Sequence, residues 1–179
     1  MPAGAPAFDV RAALHGVLGV DLARIHGLGP SLALKPVAEC GTDLCAWPSA
    51  KHFTSWLCLA AGNRISGGKL LSSRARRSSS RAATVLPLAA TTVGRSDTAL
   101  GVFYRRLSSR IGNQKAVTAT ARKIAALFNN TLRFGMTCRD PGAAAYDDRH
   151  RARVFANLRR RARTLGYELA PVPDAGCVS

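Results

Sequence analysis

The stretch Ile25-His26-Gly27-Leu28-Gly29-Pro30 decides how this chain is read. Two glycines at i and i+2 make a tight turn whose backbone can reach positive φ. Pro30 suits the first position of a new helix. Upstream, Asp9 to Ile25 places Val10, Ala13, Leu14, Val17 and Leu18 on one helical face, weakened by Gly16 and Gly19. Downstream, a helix runs through Leu32, Ala33 and Val37 to Glu39, with Gly41 suited to the left-handed cap. Helix, Gly-x-Gly hairpin, helix is a pattern that can present hairpin amides and a helix N-terminus to a backbone phosphate. Such contacts position a duplex without reading its sequence. An ordinary glycine-rich turn between two helices is the plain alternative.

Working outward, the rest of the chain also has helical spacing. Thr42 to Ala61 holds a turn at Trp47-Pro48-Ser49, then a helix over Ala50 to Leu59 with Phe53, Trp56, Leu57 and Ala60 on its apolar side. Trp47 and Trp56 are expected in the core. Ser80 to Val93 is a small-residue helix, and Ser96 is placed to cap a helix running to Ile111, with Leu100, Phe103, Leu107 and Ile111 on its apolar face. Ala116 to Phe134 is the cleanest amphipathic segment, with Val117, Ala121, Ile124, Phe128 and Leu132 facing one way. A last helix over Ala144 to Leu165 would turn Val154, Leu158, Ala162 and Leu165 inward. No repeat and no strand is evident. The expected fold is mostly α.

Charge sets the chemistry. The chain has 179 residues, with 26 Lys/Arg against 10 Asp/Glu, for a formal net charge of +16. From Leu44 to Arg139 there are 16 basic residues and one carboxylate, Asp97. A surface so one-sided attracts polyanions. It also excludes a metal-ion phosphoryl-transfer site within that segment, because a hard cation needs clustered carboxylates. No apolar run approaches the roughly 18 residues of a membrane span, and Met1 to Ala7 has no basic residue, unlike a signal peptide. Cys40, Cys45, Cys58, Cys138 and Cys177 show no CxxC spacing and read as free thiols in a reducing cytoplasm. The four histidines form no ligand pair. No metal site is expected.

Four basic motifs remain. In Arg64-Ile65-Ser66-Gly67-Gly68-Lys69, a serine lies between two cations in a glycine loop, without the spacing of a P-loop. Positive charge there would lower the barrier for a serine oxygen attacking phosphorus; a solvated Gly/Ser loop is the alternative. Lys69 to Arg81 mixes Arg74, Arg76, Arg77 and Arg81 with serines and suits phosphate contacts. Tyr104-Arg105-Arg106 adds two further cations; Tyr104 reads as a helix-surface residue over the backbone rather than a nucleophile. Finally, the arginines between Arg149 and Arg163 form a basic helix that could lie along nucleic acid or simply face solvent.

In order, Ile25 to Pro30, Glu39-Cys40-Gly41-Thr42-Asp43, Phe53-Thr54-Ser55-Trp56-Leu57, Ser66-Gly67-Gly68-Lys69, Phe103-Tyr104-Arg105-Arg106-Leu107 and Ala119 to Leu127 resemble the C-terminal half of the insertion-sequence-110 family of transposases, also labelled 116 and 902. The resemblance spans roughly Asp9 to Gly166. It implies a helix-hairpin-helix element at about 20–41 and a serine loop at 62–80, within a transposase-type domain at 9–112. A helical extension at 113–166 follows, with a disordered N-terminus (1–8) and a flexible tail (167–179). It implies Ser66 as a nucleophile forming a phosphoserine link to DNA, with nucleic-acid contacts from Gly27, Gly29, Arg64, Lys69, Arg74, Arg76, Arg77, Arg81, Arg105 and Arg106. In the family, a RuvC-like N-terminal domain supplies an acidic tetrad and binds magnesium, and a structured RNA guides the choice of DNA.

The departures from the pattern are the absent acidic tetrad, Ala61 where the family has proline, and Pro36 and Pro87 in helix interiors. An interior proline costs on the order of 3 kcal/mol. Together they suggest a truncated, decaying copy that is inactive alone and lacks a cofactor of its own. The expected partners are DNA, a guide RNA, and a full-length transposase or further copies of the chain, in the prokaryotic cytoplasm at the nucleoid, with no membrane. A stand-alone helix-hairpin-helix DNA-binding protein and an RNA-binding adaptor remain the rival readings.

Overall fold

The computed structural model describes residues 8–78 and 80–170; Cys177, most of the expected N-terminal segment and most of the tail lie outside them. Seven α-helices and one two-stranded hairpin follow in chain order: α1 (Val10–Leu18), α2 (Pro30–Cys40), α3 (Ala50–Trp56), β1 (Arg64–Ser66), β2 (Lys69–Ser72), α4 (Arg81–Val93), α5 (Ala99–Ile111), α6 (Asn113–Phe134) and α7 (Gly142–Thr164). The fold is mostly α, as the periodicity predicts.

Local chemistry sets the boundaries. The Asp9 carboxylate accepts from the amides of Arg11 (2.9 Å) and Ala12 (3.2 Å) and starts α1. Gly19 ends it at φ +67°, the left-handed region. The expected helix to Ile25 therefore stops early, and a separate 3-10 turn at Leu22–Arg24, capped by Asp21, leads into the Gly-x-Gly hairpin. Helix α3 is likewise shorter than expected: Cys58 takes φ +57°, and the Leu59 amide closes the turn on Thr54 O at 3.0 Å. Helix α5 is capped by Thr98, not Ser96; Thr98 Oγ1 accepts from the Gly101 amide at 3.1 Å, while Ser96 Oγ is bonded to Val93 O at 2.8 Å.

The core gathers around α6, which packs on α3, α4 and α5. Ile124, Ala125 and Phe128 of α6 meet Phe53 and Leu57 of the α3 region and Leu86, Ala89, Ala90 and Val93 of α4, all buried. Phe53 stacks on Phe128 (6.0 Å between centroids) and meets Trp47 edge-on at 5.2 Å. Trp47 is part-buried, but Trp56 sits at the edge of this cluster and remains 45% exposed, so it is not core. Glu39 has a structural role: its Oε2 accepts from the Ala82 amide at 2.6 Å and ties α2 to the start of α4.

Two expectations fail. The segment 62–80 is not strandless. Gly67 and Gly68, at φ +55° and +75°, supply the two left-handed residues of a tight hairpin turn, and β1 pairs antiparallel with β2 around it. Glycine-rich polarity concealed a strand pair of three and four residues. Second, α7 does not bury its apolar side. It runs alongside α5, with Asp140 at the amide of Ala99 and Asp147 at Arg106, a constant offset of 41 residues. Because α5 ends at Ile111, the distal part of α7 has no neighbour there among the described residues; Val154, Leu158 and Leu165 are exposed.

Candidate nucleic-acid interface

Register fixes the geometry around Ser66. Ser66 pairs across the hairpin with Lys69, Ile65 with Leu70, and Arg64 with Ser72, with an irregularity between Arg64 and Ile65 that accommodates the extra residue Leu71. Directly opposed residues share a face and successive residues alternate. Arg64, Ser66 and Lys69 therefore lie on one face, and Ile65 and Leu70 on the other. Every residue from Ala61 to Leu71 is exposed. The hairpin's base is held by an Ala61–Ala75 bridge and by the Gly62 amide on Arg74 O at 3.2 Å. The result is a serine hydroxyl flanked by two cations at the tip of a projecting arm.

Three adjoining concavities lead from this arm across the molecule. The first, about 430 Å³, lies against the hairpin base and is lined by Asn63, Arg64, Ser72, Arg74 and Arg76. The second, about 930 Å³, shares Ser72, Arg74 and Ala75 with it and opens onto α6, where Gln114, Lys115, Thr118, Arg122 and Lys123 form its wall. The third, about 420 Å³, shares Lys123 and Ala126 with the second and adds Arg139, Arg149 and Arg153 near the start of α7. Nine Lys/Arg residues thus line one track, with a single carboxylate, Asp140. That carboxylate is already engaged: it accepts from the Ala99 amide at 3.1 Å and lies 3.8 Å from His26 Nε2. Burial, and then the like charge of Arg153, push the Lys123 ammonium below its usual range. Among the described residues none of these nine cations forms an ion pair with a carboxylate, and such a surface favours an anion over water.

The ten residues expected to touch nucleic acid do not all reach this track. Arg64, Arg74 and Arg76 line it, and Lys69 stands at the hairpin tip. Arg77 and Arg81 are exposed beside it, Arg81 opening α4. Gly29 is open, and no side chain caps α2 there. Gly27 instead packs on α4: a Cβ would meet Val93 Cγ2 at 2.2 Å and Ala89 O at 2.6 Å. Arg105 is occupied internally, donating to the carbonyls of Gly94 (3.1 Å) and Ser96 (2.8 Å). Arg106 pairs with Asp147 at 2.5 Å. The Tyr104 hydroxyl donates to the side chain of Asn113. Lys115, Arg122 and Lys123 line the track but were not among the expected contacts, although Arg122 and Lys123 lie within the motif stretch Ala119 to Leu127.

Burial and the neighbouring Glu39 charge push the Cys40 thiol up to about 11, so it stays protonated at neutral pH. Among the described residues, no group of three or more His, Cys, Asp or Glu could hold a metal ion. The resemblance places magnesium on a RuvC-like domain rather than on these residues. No helix among them is long and apolar enough to cross a membrane.

The model of one transposase family, described as IS116/IS110/IS902, matches residues 21–105, the span from the start of the hairpin element through the serine arm to α5. No curated protein and no solved structure matches the chain.

Proposed function

We propose, on the premise that residues 21–105 belong to the transposase IS116/IS110/IS902 family, that this chain grips DNA along the basic track and presents Ser66 as the nucleophile of a strand-transfer reaction. The observation that carries this reading is the facing pair Ser66–Lys69 at the exposed hairpin tip, on one face with Arg64, above a base that opens into the track. In the reaction, the Ser66 Oγ–P bond replaces one P–O bond of the strand. The departing strand oxygen takes up the proton that the hydroxyl gives up, and the DNA is held as phosphoserine. Arg64 and Lys69 offset the negative charge that grows on the transferring phosphorus oxygens. The open hairpin glycine Gly29 and the uncapped start of α2 add backbone donors for a phosphate.

The chain has the charge stabilisers and the nucleophile. An acidic, metal-holding domain of RuvC-like chemistry has to complete the site, whether it comes from the same polypeptide or from a partner. Placement within a fraction of an ångström governs such catalysis, so these residues alone give binding without cleavage. The track recognises phosphate backbone rather than base edges, which suits target choice delegated to a guide RNA and work on chromosomal DNA in the prokaryotic cytoplasm. Binding without chemistry, by a stand-alone DNA- or RNA-binding protein, is the second reading; it is favoured by the lack of a carboxylate cluster among the described residues.

The test combines the chain with a RuvC-like domain, guide RNA, magnesium and end-labelled DNA. A covalent protein–DNA adduct is expected on a denaturing gel, absent for Ser66→Ala. An adduct that survives Ser66→Ala, or that maps to Tyr104, would reject the assignment.

A further inference from the structure

The third concavity sets an aromatic ring and leucine side chains among four cations. It is a half-enclosed cleft of about 420 Å³, within the size range of small-ligand sites. Its apolar lining comes from Leu100, Ala126, Leu127 and Pro141, with the Tyr146 ring. Lys123, Arg139, Arg149 and Arg153 line the same cleft, with Lys123 on the helix that bears Ala126 and Leu127, and Arg149 and Arg153 on the one that bears Tyr146. Phosphate contacts alone need no apolar wall, and a greasy pocket needs no four cations. The two together match one chemical object, a flat apolar ring attached to a phosphate.

We propose that this cleft takes a single unstacked nucleotide, its base against Leu100, Leu127 and Tyr146 and its phosphate between Lys123, Arg149 and Arg153. The inference deepens the reading of the track as a nucleic-acid interface and rests on it, because the nucleotide would come from the strand lying in the adjoining groove. Lys123 links the two: its ammonium lies 4.0 Å from the centroid of the Phe103 ring and lines both the groove and the cleft. Burial and then the like charge of Arg153 disfavour the Lys123 ammonium, and an anion placed beside them offsets that repulsion. The one carboxylate of the lining, Asp140, is turned to the Ala99 amide, from which it accepts at 3.1 and 3.3 Å. Stacking of a base on an aromatic face contributes about 1–3 kcal/mol without regard to sequence, which suits an enzyme whose target choice lies elsewhere.

The experiment titrates the full chain with adenosine monophosphate, with ribose 5-phosphate and with inorganic phosphate, read by methyl and amide NMR shifts, beside a duplex DNA titration in the same buffer. Adenosine monophosphate is expected to bind saturably at about 1 mM or below, at least about tenfold tighter than the two ligands lacking a base, with shifts at Leu100 and Leu127. Arg149→Ala/Arg153→Ala, both exposed positions, is expected to weaken it at least about fivefold. Equal binding of all three ligands, or shifts confined to the hairpin, would overturn the cleft assignment while leaving duplex binding intact. Loss of duplex binding with nucleotide binding retained would instead remove the proposed function and leave the cleft. If the double variant fails to fold, Lys123→Gln gives the same comparison.

Discussion

Replacing Pro87 by alanine is expected to stabilise this protein by about 2 kcal/mol. Pro87 is the seventh of thirteen residues in α4, with helical residues on both sides. It has no N–H to give the Ala83 carbonyl, and its ring crowds that same carbonyl. The helix continues through it because its other faces are locked: Ala82, Leu86, Ala89, Ala90 and Val93 are buried against α2 and α6. Alanine at an interior helix position is favoured over proline by about 3 kcal/mol. Losing proline's restraint on the unfolded chain returns about 0.4–1 kcal/mol. Pro87 itself is only half-buried, so little packing is lost. For a chain of this size each kcal/mol moves Tm by about 2–4 °C, giving a rise of about 4–8 °C in a circular dichroism melt. Pro36→Ala should rise less, since Pro36 is buried and its ring fills space. An unchanged or lower Tm for Pro87→Ala would show that the proline is accommodated without strain, and the idea of accumulated helix damage would fall.

Other substitutions separate structural from functional roles. Gly27→Ala is expected to cost more than about 2 kcal/mol in urea unfolding, because its φ is +85° and the added Cβ meets α4 backbone, whereas Gly29→Ala, at φ −61° with open space around it, leaves stability within about 1 kcal/mol; equal effects would contradict the hairpin packing. Asn129 is fully buried with neither polar side-chain atom paired, so Asn129→Leu should stabilise by about 1–3 kcal/mol, and a destabilised variant would reveal a partner for the amide. Arg133 Nη1 donates to the carbonyls of Trp47 (2.8 Å) and Pro48 (2.7 Å), joining the α3 turn to α6; Arg133→Met should lose about 1.5–3 kcal/mol, with near-UV circular dichroism reporting disorder around Trp47.

Helices were legible in the sequence wherever one face had to be buried. The stripe Ala121, Ile124 and Phe128 is read from spacing alone and forms the buried face of α6. The same logic misled for α7, whose Val154, Leu158 and Leu165 have helical spacing but nothing to pack on, because periodicity shows a face and not its neighbour. The hairpin around Ser66 escaped because seven strand residues, all but Ser72 exposed, carry no alternation between core and solvent. Arginine's destination was the least legible feature. Arg105 donates to the carbonyls of Gly94 and Ser96 and Arg106 lies against Asp147, whereas Lys115 and Arg122, absent from the expected contacts, line the groove along α6.

The most direct measurement is the salt dependence of duplex DNA binding. Nine cations line the track, and each phosphate they neutralise adds about −0.9 to the slope of log K against log salt. With at least about four contacts engaged, the slope should be about −4 or steeper, and the triple variant Arg74→Ala/Lys115→Ala/Arg122→Ala should make it shallower by about 2.7. A slope near zero for the unmodified chain, or an unchanged slope in the triple variant, would contradict the account.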